Sequence, residues 1–372
     1  MTRRAQGAGS VYLRQDGRYA ASASFEGKRI TKYGKTKKEA WDNLQTALDD
    51  LKQGRVVIGP KQTVKQYLEH WLENSRRLRV EPTTLANYRV LLRVHLLPAF
   101  GHLQLSQLTR EQVQSFYVEK LDSGLAPSTI RNIHDLFVSA LKDAVADEIL
   151  VRNVCEYVTV PKQKQRKPHV LNVEQCKRLI AAARGRRLWF LILMAITTGA
   201  RVGELLALHW EDIDLNNLRV HIHRSVCFIK GKGLVEKEPK TKQGARRVIL
   251  TQVVIGAISE QKEFIEKVHL NGDAQWEDLD LVFPNKQGRY IRNARVLKEF
   301  RMILVDAGLP AAMHFHDLRH SAATLLFAAG VNPKVVSEAL GHSSIGITLG
   351  LYGDVTPDMQ QETGRVMDRL FE

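Results

Sequence analysis

Between Val11 and Tyr33 apolar and polar residues alternate in short runs, the two-residue period of strands with one buried face. Val11-Tyr12-Leu13 leads to Asp16-Gly17, a two-residue hairpin signal. Tyr19, Ala21, Ala23 and Phe25 alternate with smaller or polar neighbours, and after a second turn at Glu26-Gly27 a third strand runs from Arg29 to Tyr33. The period then changes. Thr36 and Glu39 form a T-x-x-E capping box, and Ala40, Leu44, Ala47, Leu48 and Leu51 recur at helical spacing behind it. A small three-stranded sheet backed by one helix is the economical reading of residues 1–55.

Residues 56–62 read as a linker punctuated by Gly59 and Pro60. From 63 to 160 the pattern is helical throughout. Val64, Tyr67, Leu68, Trp71 and Leu72 mark a first helix, and Pro82 precedes a second that runs through Leu92. Val113, Phe116, Tyr117 and Leu121 mark a third, stopped by Gly124. Ser128 is placed to cap a fourth, with Ile130, Ile133, Phe137, Ala140, Leu141 and Ala144 on its inner face. Residues 161–170, with PKQKQRKPH, form a second, basic linker extended by its prolines. In the third body, 171–372, Asn172 and Gln175 cap the first helix, and Leu188 to Thr198 is apolar nearly all round, as in a buried helix. Leu218 to Phe228 reads as one strand, a Gly-punctuated basic stretch follows, and Arg247 to Leu250 returns as another. The fold class is therefore multidomain: a small α+β body, an all-α bundle, and a mainly α body with a small antiparallel sheet.

Charge narrows the partner. Lys+Arg 55 against Asp+Glu 40 leaves +15, and the first 65 residues hold 14 basic against 6 acidic residues, a net of +8. Such an excess favours a polyanion, nucleic acid before membrane. The sheet carries Arg14, Arg18, Lys28, Arg29, Lys32 and Lys35, a charge suited to a DNA groove. Cys155, Cys176 and Cys227 make no disulfide framework, and no apolar run approaches the ~18 residues of a membrane helix. Composition therefore indicates an intracellular, soluble, multidomain and nucleic-acid-binding protein.

Four stretches of the third body hold the residue types that phosphodiester chemistry needs. TTGARVGELLAL presents Arg201 near a helix start. PKTKQGARRVIL presents Lys242, with Lys240 its rival. HFHDLRHSAATLL sets His316 and Arg319 three apart, on one helix face. ALGHSSIGITLGLYGDV presents His342 and then Tyr352. In this order the motifs, and the words around them, resemble the tyrosine recombinases, the phage-type integrases. The likeness is strong over the catalytic body. It is weaker over the helical bundle, which resembles a core-binding domain, and over the sheet, which resembles an arm-type DNA-binding domain.

The chemistry fits that resemblance. Attack on a phosphodiester gathers negative charge on the non-bridging oxygens, where Arg201 and Arg319 offer bidentate donors and His316 and His342 add hydrogen bonds. Tyr352 is the candidate nucleophile, His316 a candidate base, and Lys242 the candidate acid for the departing 5′ oxygen. Two guanidiniums fill the electrostatic role, so no cofactor or metal is expected. The resemblance implies a 3′-phosphotyrosyl link, a Holliday junction and a homotetramer on double-stranded DNA, acting at core and arm-type sites. A host DNA-bending protein or an excisionase are further partners it suggests. It also implies that the amphipathic stretch Pro357 to Phe371 docks on a neighbouring subunit. Each residue taken alone has a plainer reading: Arg201 could simply pair with Glu204 or Asp212, and His314 and His320 are expected to be supporting. Competing functions are a type IB topoisomerase-like nicking-closing enzyme and a catalytically silent DNA-binding regulator.

Overall fold

A computed structural model describes residues 9–25, 28–52, 62–163, 166–229, 231–238, 244–271 and 276–341. The chain divides between residues 165 and 166 into two compact units.

In the first unit β1 (Ser10–Leu13), β2 (Tyr19–Phe25) and β3 (Lys28–Gly34) form an antiparallel sheet in sequence order. The first hairpin differs from expectation. Arg14 N–H donates to the Arg18 carbonyl at 2.9 Å, which leaves Gln15, Asp16 and Gly17 as a three-residue loop with Gly17 at φ 79°. The turn expected at Glu26-Gly27 lies outside the described residues. Helix α1 (Lys37–Lys52) lays Ala40 and Leu44 on Ala21 and Ala23. Its capping box is displaced by one residue: Thr36 Oγ1 accepts from Glu39 N–H at 3.1 Å, while the Glu39 carboxylate accepts from Lys35 N–H at 2.7 Å.

The helical part comprises α2 (Val64–Trp71), α3 (Pro82–Leu91), the single turn α4 (Leu97–Phe100), α5 (Arg110–Asp122) and α6 (Pro127–Ala146). The second helix does not end near Leu92. A π-type turn, Leu92–Leu96, carries it on into α4, and Leu97 N–H reaches back to the Leu92 carbonyl. Pro98 lacks an N–H and crowds the carbonyl four residues before it, and a wider turn just ahead accommodates that without breaking the helix. The cap of α6 is Ala126 with Pro127 in the first turn, so Ser128 sits inside the helix rather than at its cap. The apolar stripes bury as expected. Two polar ties fix α2 to α6: Tyr67 O–H donates to the Ala140 carbonyl at 2.7 Å and Trp71 Nε1–H to Asp143 Oδ2 at 2.7 Å.

In the second unit the helices are α7 (Val173–Ala183), α8 (Trp189–Thr198) and the short α9 (Val202–Leu205). The strands β4 (Ile213–Asp214), β5 (Arg219–Ile222), β6 (Ser225–Ile229), β7 (Gly233–Lys237) and β8 (Arg246–Ile249) follow. Then come α10 (Gln252–Leu270), α11 (Asn293–Asp306), α12 (Asp317–Ala328) and α13 (Pro333–Leu340). Asn172 and Gln175 cap α7 reciprocally, as the sequence indicates. The single strand expected from Leu218 to Phe228 is two strands in two sheets. Beta5 pairs with β4 and β8, with Val220 opposite Val248, whereas β6 pairs with β7 as a separate hairpin. Val220 and Ile222 bury into the core, and His223-Arg224 then turns the chain away, with Arg224 anchored on Asp212 at 2.7 Å.

The axis of this unit is α8. Trp189 through Ala195 are all buried, and each large side chain removed from water is worth roughly 1.5–3 kcal/mol. The turn that ends α8 is thereby a fixed platform, and the candidate site is built on it. Among the described residues no helix is long and apolar enough to cross a membrane.

Candidate active site

Helix α8 ends at Gly199, whose φ of 63° is left-handed. A side chain there is excluded twice: the backbone disfavours it, and a Cβ would lie 2.3 Å from Leu340 Cδ2 of α13. Ala200 is buried, and Arg201 then caps α9 with its side chain 43% exposed. The chain thus leaves the core at Arg201, the first of the candidate site residues.

Arg201 is braced by Glu204. Its Nη1 donates to Glu204 Oε1 at 2.7 Å, and its backbone N–H donates to Oε2 at 2.9 Å. Glu204 is nearly buried and is held from the other side by Arg246, whose Nη2 donates to Oε2 at 2.8 Å. Burial alone would raise this carboxyl's pKa. The hydrogen bonds and charges of Arg246 and Arg201 outweigh it and hold the group below the usual carboxylate range. The pairing with Glu204 is the plainer role noted above for Arg201; here it orients the guanidinium while leaving it open to solvent.

Helix α12 brings the second cation. Arg319 is buried and donates Nη1–H to the Gly199 carbonyl at 2.9 Å, across 120 residues of sequence. Both arginines therefore anchor on the same short turn. His316 stands at the cap of α12, exposed at its edge, with its ring 5.2 Å from that of His320 in an edge-to-face arrangement. Partial desolvation first, then the charges of His320, Arg319 and Arg201, push its pKa down to about 4. In the unliganded enzyme the imidazole is neutral at pH 7 and able to accept a proton or hydrogen bond.

A depressed value carries a definite sign. Stability contributed by the neutral ring is present above the ordinary imidazole pKa of about 6.5 and is lost as pH falls toward 4. An NMR titration of the free enzyme is expected to place the His316 midpoint near 4. Added DNA should move it upward, because a phosphate stabilises imidazolium. A midpoint near the ordinary value without DNA would contradict this environment.

Asp317 fixes the start of α12. It accepts from His314 N–H at 3.0 Å and from Arg166 Nη2 at 2.7 Å, and Arg166 also reaches the Ala312 carbonyl at 2.9 Å. Burial would raise the Asp317 pKa, but these partners and the His169 N–H together lower it. Leu171 N–H donates to Ser321 Oγ, which donates to the Asp317 carbonyl, both at 2.9 Å. Residues 166–171 are thus stitched along the helix that carries His316 and Arg319.

The structure brings together Arg201, His316 and Arg319. Lys242, with its rival Lys240, His342, Tyr352 and the stretch 357–371 lie outside the described residues. Sequence reasoning missed Arg246, Asp317 and Arg166 and met Glu204 only as a competitor. The R-x-x-E spacing from Arg201 to Glu204 was a usable signal, but nothing local marks Arg246 among its basic neighbours. Among the described residues no cluster of His, Cys, Asp and Glu suits a metal ion.

The basic residues of the sheet do not share one face. Arg29 and Tyr33 lie opposite Ser24 and Ala20 on the face away from α1, while Lys32 pairs with Ala21 on the helix side. Arg14 and Arg18 stack on the Tyr33 ring at 5.0 and 5.9 Å, and Lys35 follows β3. The side chain of Lys28 is outside the described set.

A model of the phage integrase family matches residues 169–359, and one of the phage integrase N-terminal SAM-like domain matches 63–121. The tyrosine recombinase XerC-like protein of Caldanaerobacter subterraneus is 31% identical over 366 residues, covering 93% of each chain. The chain belongs to the phage integrase family. It is a tyrosine recombinase, an enzyme of site-specific DNA recombination that cleaves and rejoins DNA strands. The fold of this recombinase is similar to that of the Tn1549 transposon integrase in complex with a circular intermediate DNA. The TM-score is 0.70 at 21% identity, over 83% of this chain and 99% of the other. It is also similar to a lambda integrase tetramer bound to a Holliday junction, at TM-score 0.59 and 18% identity over 94% and 96% of the chains.

Proposed function

We propose that this recombinase is the integrase of a phage or other mobile element and that Tyr352 is its nucleophile, supported by Arg201, Lys242, His316, Arg319 and His342. The convergence of Arg201 and Arg319 on the Gly199 turn, with His316 beside them, carries the proposal. Two guanidiniums beside a neutral imidazole form a preorganised receptor for the two non-bridging oxygens of a phosphodiester. The Tyr352 hydroxyl gives its proton to a base, His316 in this reading, as its oxygen attacks phosphorus; the phosphorus–O5′ bond breaks, and the 5′ oxygen takes a proton from the acid, Lys242. A 3′-phosphotyrosyl bond is left, and the free 5′-hydroxyl of a partner strand reverses the step. One phosphoester replaces another, so no ATP is consumed, and the arginines supply the charge that a metal supplies in other phosphoryl-transfer sites.

In this reading residues 171–372 are the catalytic domain and 63–160 the domain that grips core-site DNA. Residues 1–55 bind arm-type sites through Arg29 and the Arg14–Tyr33–Arg18 stack. The SAM-like match over 63–121 supports the second role. The lambda integrase tetramer on a Holliday junction supports assembly as a homotetramer. Host DNA-bending proteins or an excisionase would select the direction of recombination, in a bacterial cytoplasm at the nucleoid.

The test uses a nicked duplex spanning the joined ends of the element that carries the coding region. Covalent protein–DNA adduct is expected in EDTA and without ATP, and an absolute metal requirement would overturn the proposal. The same assay assigns the acid. Lys242→Ala is expected to slow cleavage about a hundredfold or more, and a 5′-bridging sulfur, which leaves without protonation, should restore it. The same pattern in Lys240→Ala, with Lys242→Ala unaffected, would move the role to Lys240.

A further inference from the structure

We propose that Arg246 is a positioning residue that holds three segments of the active site in register through one side chain; the inference rests on the catalytic reading above. Arg246 opens β8 opposite Ile222, and its side chain is 6% exposed. Its nitrogens diverge to three elements. Nη2 donates to Glu204 Oε2 at 2.8 Å, and Glu204 in turn holds the guanidinium and backbone of Arg201. Nε donates to the Ala339 carbonyl at 2.7 Å, one of the carbonyls the last turn of α13 leaves without a helical partner. Nη1 contacts the Gly244 carbonyl at 3.3 Å.

Each contact lies at the root of a segment that the mechanism uses. Glu204 leads to Arg201. The end of α13 is the point from which the chain departs through Gly341 to His342. Gly244 closes the connection that contains Lys240 and Lys242. The seat is built for a guanidinium. Gly341 is left-handed at φ 69°, and a Cβ on it would stand 2.9 Å from Arg246 Nη1 and 3.2 Å from Cζ. A planar fork donates in three divergent directions at once, whereas an ammonium at the end of a flexible stem is a single point charge. Arg246 touches no reacting atom in this scheme. It sets the spacing of groups that do, and a displacement of about 1 Å in such groups is enough to cost roughly a hundredfold in rate.

The experiment measures single-turnover adduct formation by the full-length enzyme on the nicked duplex. DNA affinity is measured by gel shift, and thermal unfolding confirms that each variant is folded at the assay temperature. Arg246→Lys is expected to cleave about a hundredfold more slowly, with affinity within about threefold of wild type. Replacing the 5′ oxygen by sulfur is expected to recover no more than part of the loss, because the Glu204 and α13 arms act on steps that the leaving group does not relieve. Glu204→Gln keeps the side-chain volume and should show a similar loss. The double variant should be no slower than the slower single one, since both act along one connection. A wild-type rate in Arg246→Lys, full recovery on the sulfur substrate, multiplicative losses in the double variant, or a defect confined to DNA affinity would each overturn the proposal. If Arg246→Lys does not fold, a wild-type rate in Glu204→Gln overturns it. Arg201→Ala runs alongside as the control. Its inactivity leaves the catalytic reading standing whatever Arg246 does, and its activity would bring that reading down instead.

Discussion

Tyr352→Phe is expected to abolish covalent capture of DNA while leaving DNA affinity within about twofold. Phenylalanine keeps the ring and removes only the oxygen that would bond to phosphorus, so no partial activity by a weakened nucleophile remains. Loss of a covalent nucleophile routinely costs on the order of 10⁴-fold or more, which in an adduct assay reads as nothing above background. The informative control is binding. A variant that loses both adduct and affinity has lost its fold or its DNA surface, and says nothing about the nucleophile. Adduct that persists, at any level above contamination, would place the attacking oxygen on another residue.

The second large effect separates two arginines that share a proposed role but not an environment. Arg201→Ala and Arg319→Ala should each slow cleavage by about a thousandfold, the scale of one lost oxyanion donor set, or about 4 kcal/mol of transition-state stabilisation. Their stabilities should diverge. Arg201 is 43% exposed, and Glu204 retains Arg246 when it is removed, so the fold should lose no more than about 1 kcal/mol. Arg319 is 2% exposed and satisfies the Gly199 carbonyl at the end of the central helix. Its removal leaves a cavity and an unpaired buried carbonyl, at a cost of about 2–4 kcal/mol. Urea unfolding beside single-turnover cleavage reads both quantities. Equal stability losses would mean that the two side chains are seated alike, contrary to the geometry.

Much of the architecture was legible because local signals agreed with tertiary demand. The alternation in Tyr19–Phe25, the reciprocal cap at Asn172 and Gln175, and the apolar surround of α8 each specify one answer. The misreadings have local physical causes. Leu218 to Phe228 looks continuous because His223 and Arg224 are tolerated in strands; only the distant Asp212, which seats Arg224, reveals the break. The apolar pattern marks the second helix only as far as Leu92, but a π-type turn carries it on. Ser128 looks like a cap until Pro127 takes the first turn. The three described candidate residues, Arg201, His316 and Arg319, stand in motif words that the sequence alone displays. The supports did not: Arg246 reaches Glu204 across 42 residues and Arg166 reaches Asp317 across 151. Such partnerships exist only once the chain has folded.

The neutrality of His316 has a consequence for selectivity between ground and transition states. Arg201 and Arg246 less Glu204 leave one formal positive charge, Arg319 adds another, and Asp317 is cancelled by Arg166. The described part of the pocket therefore sums to two. A resting diester brings minus one and a five-coordinate phosphorane minus two, so these fixed charges hold the phosphorane more strongly than the diester. A permanently protonated imidazole would also tighten the hold on intact DNA and, in the proposed scheme, would have no lone pair left to accept the Tyr352 proton.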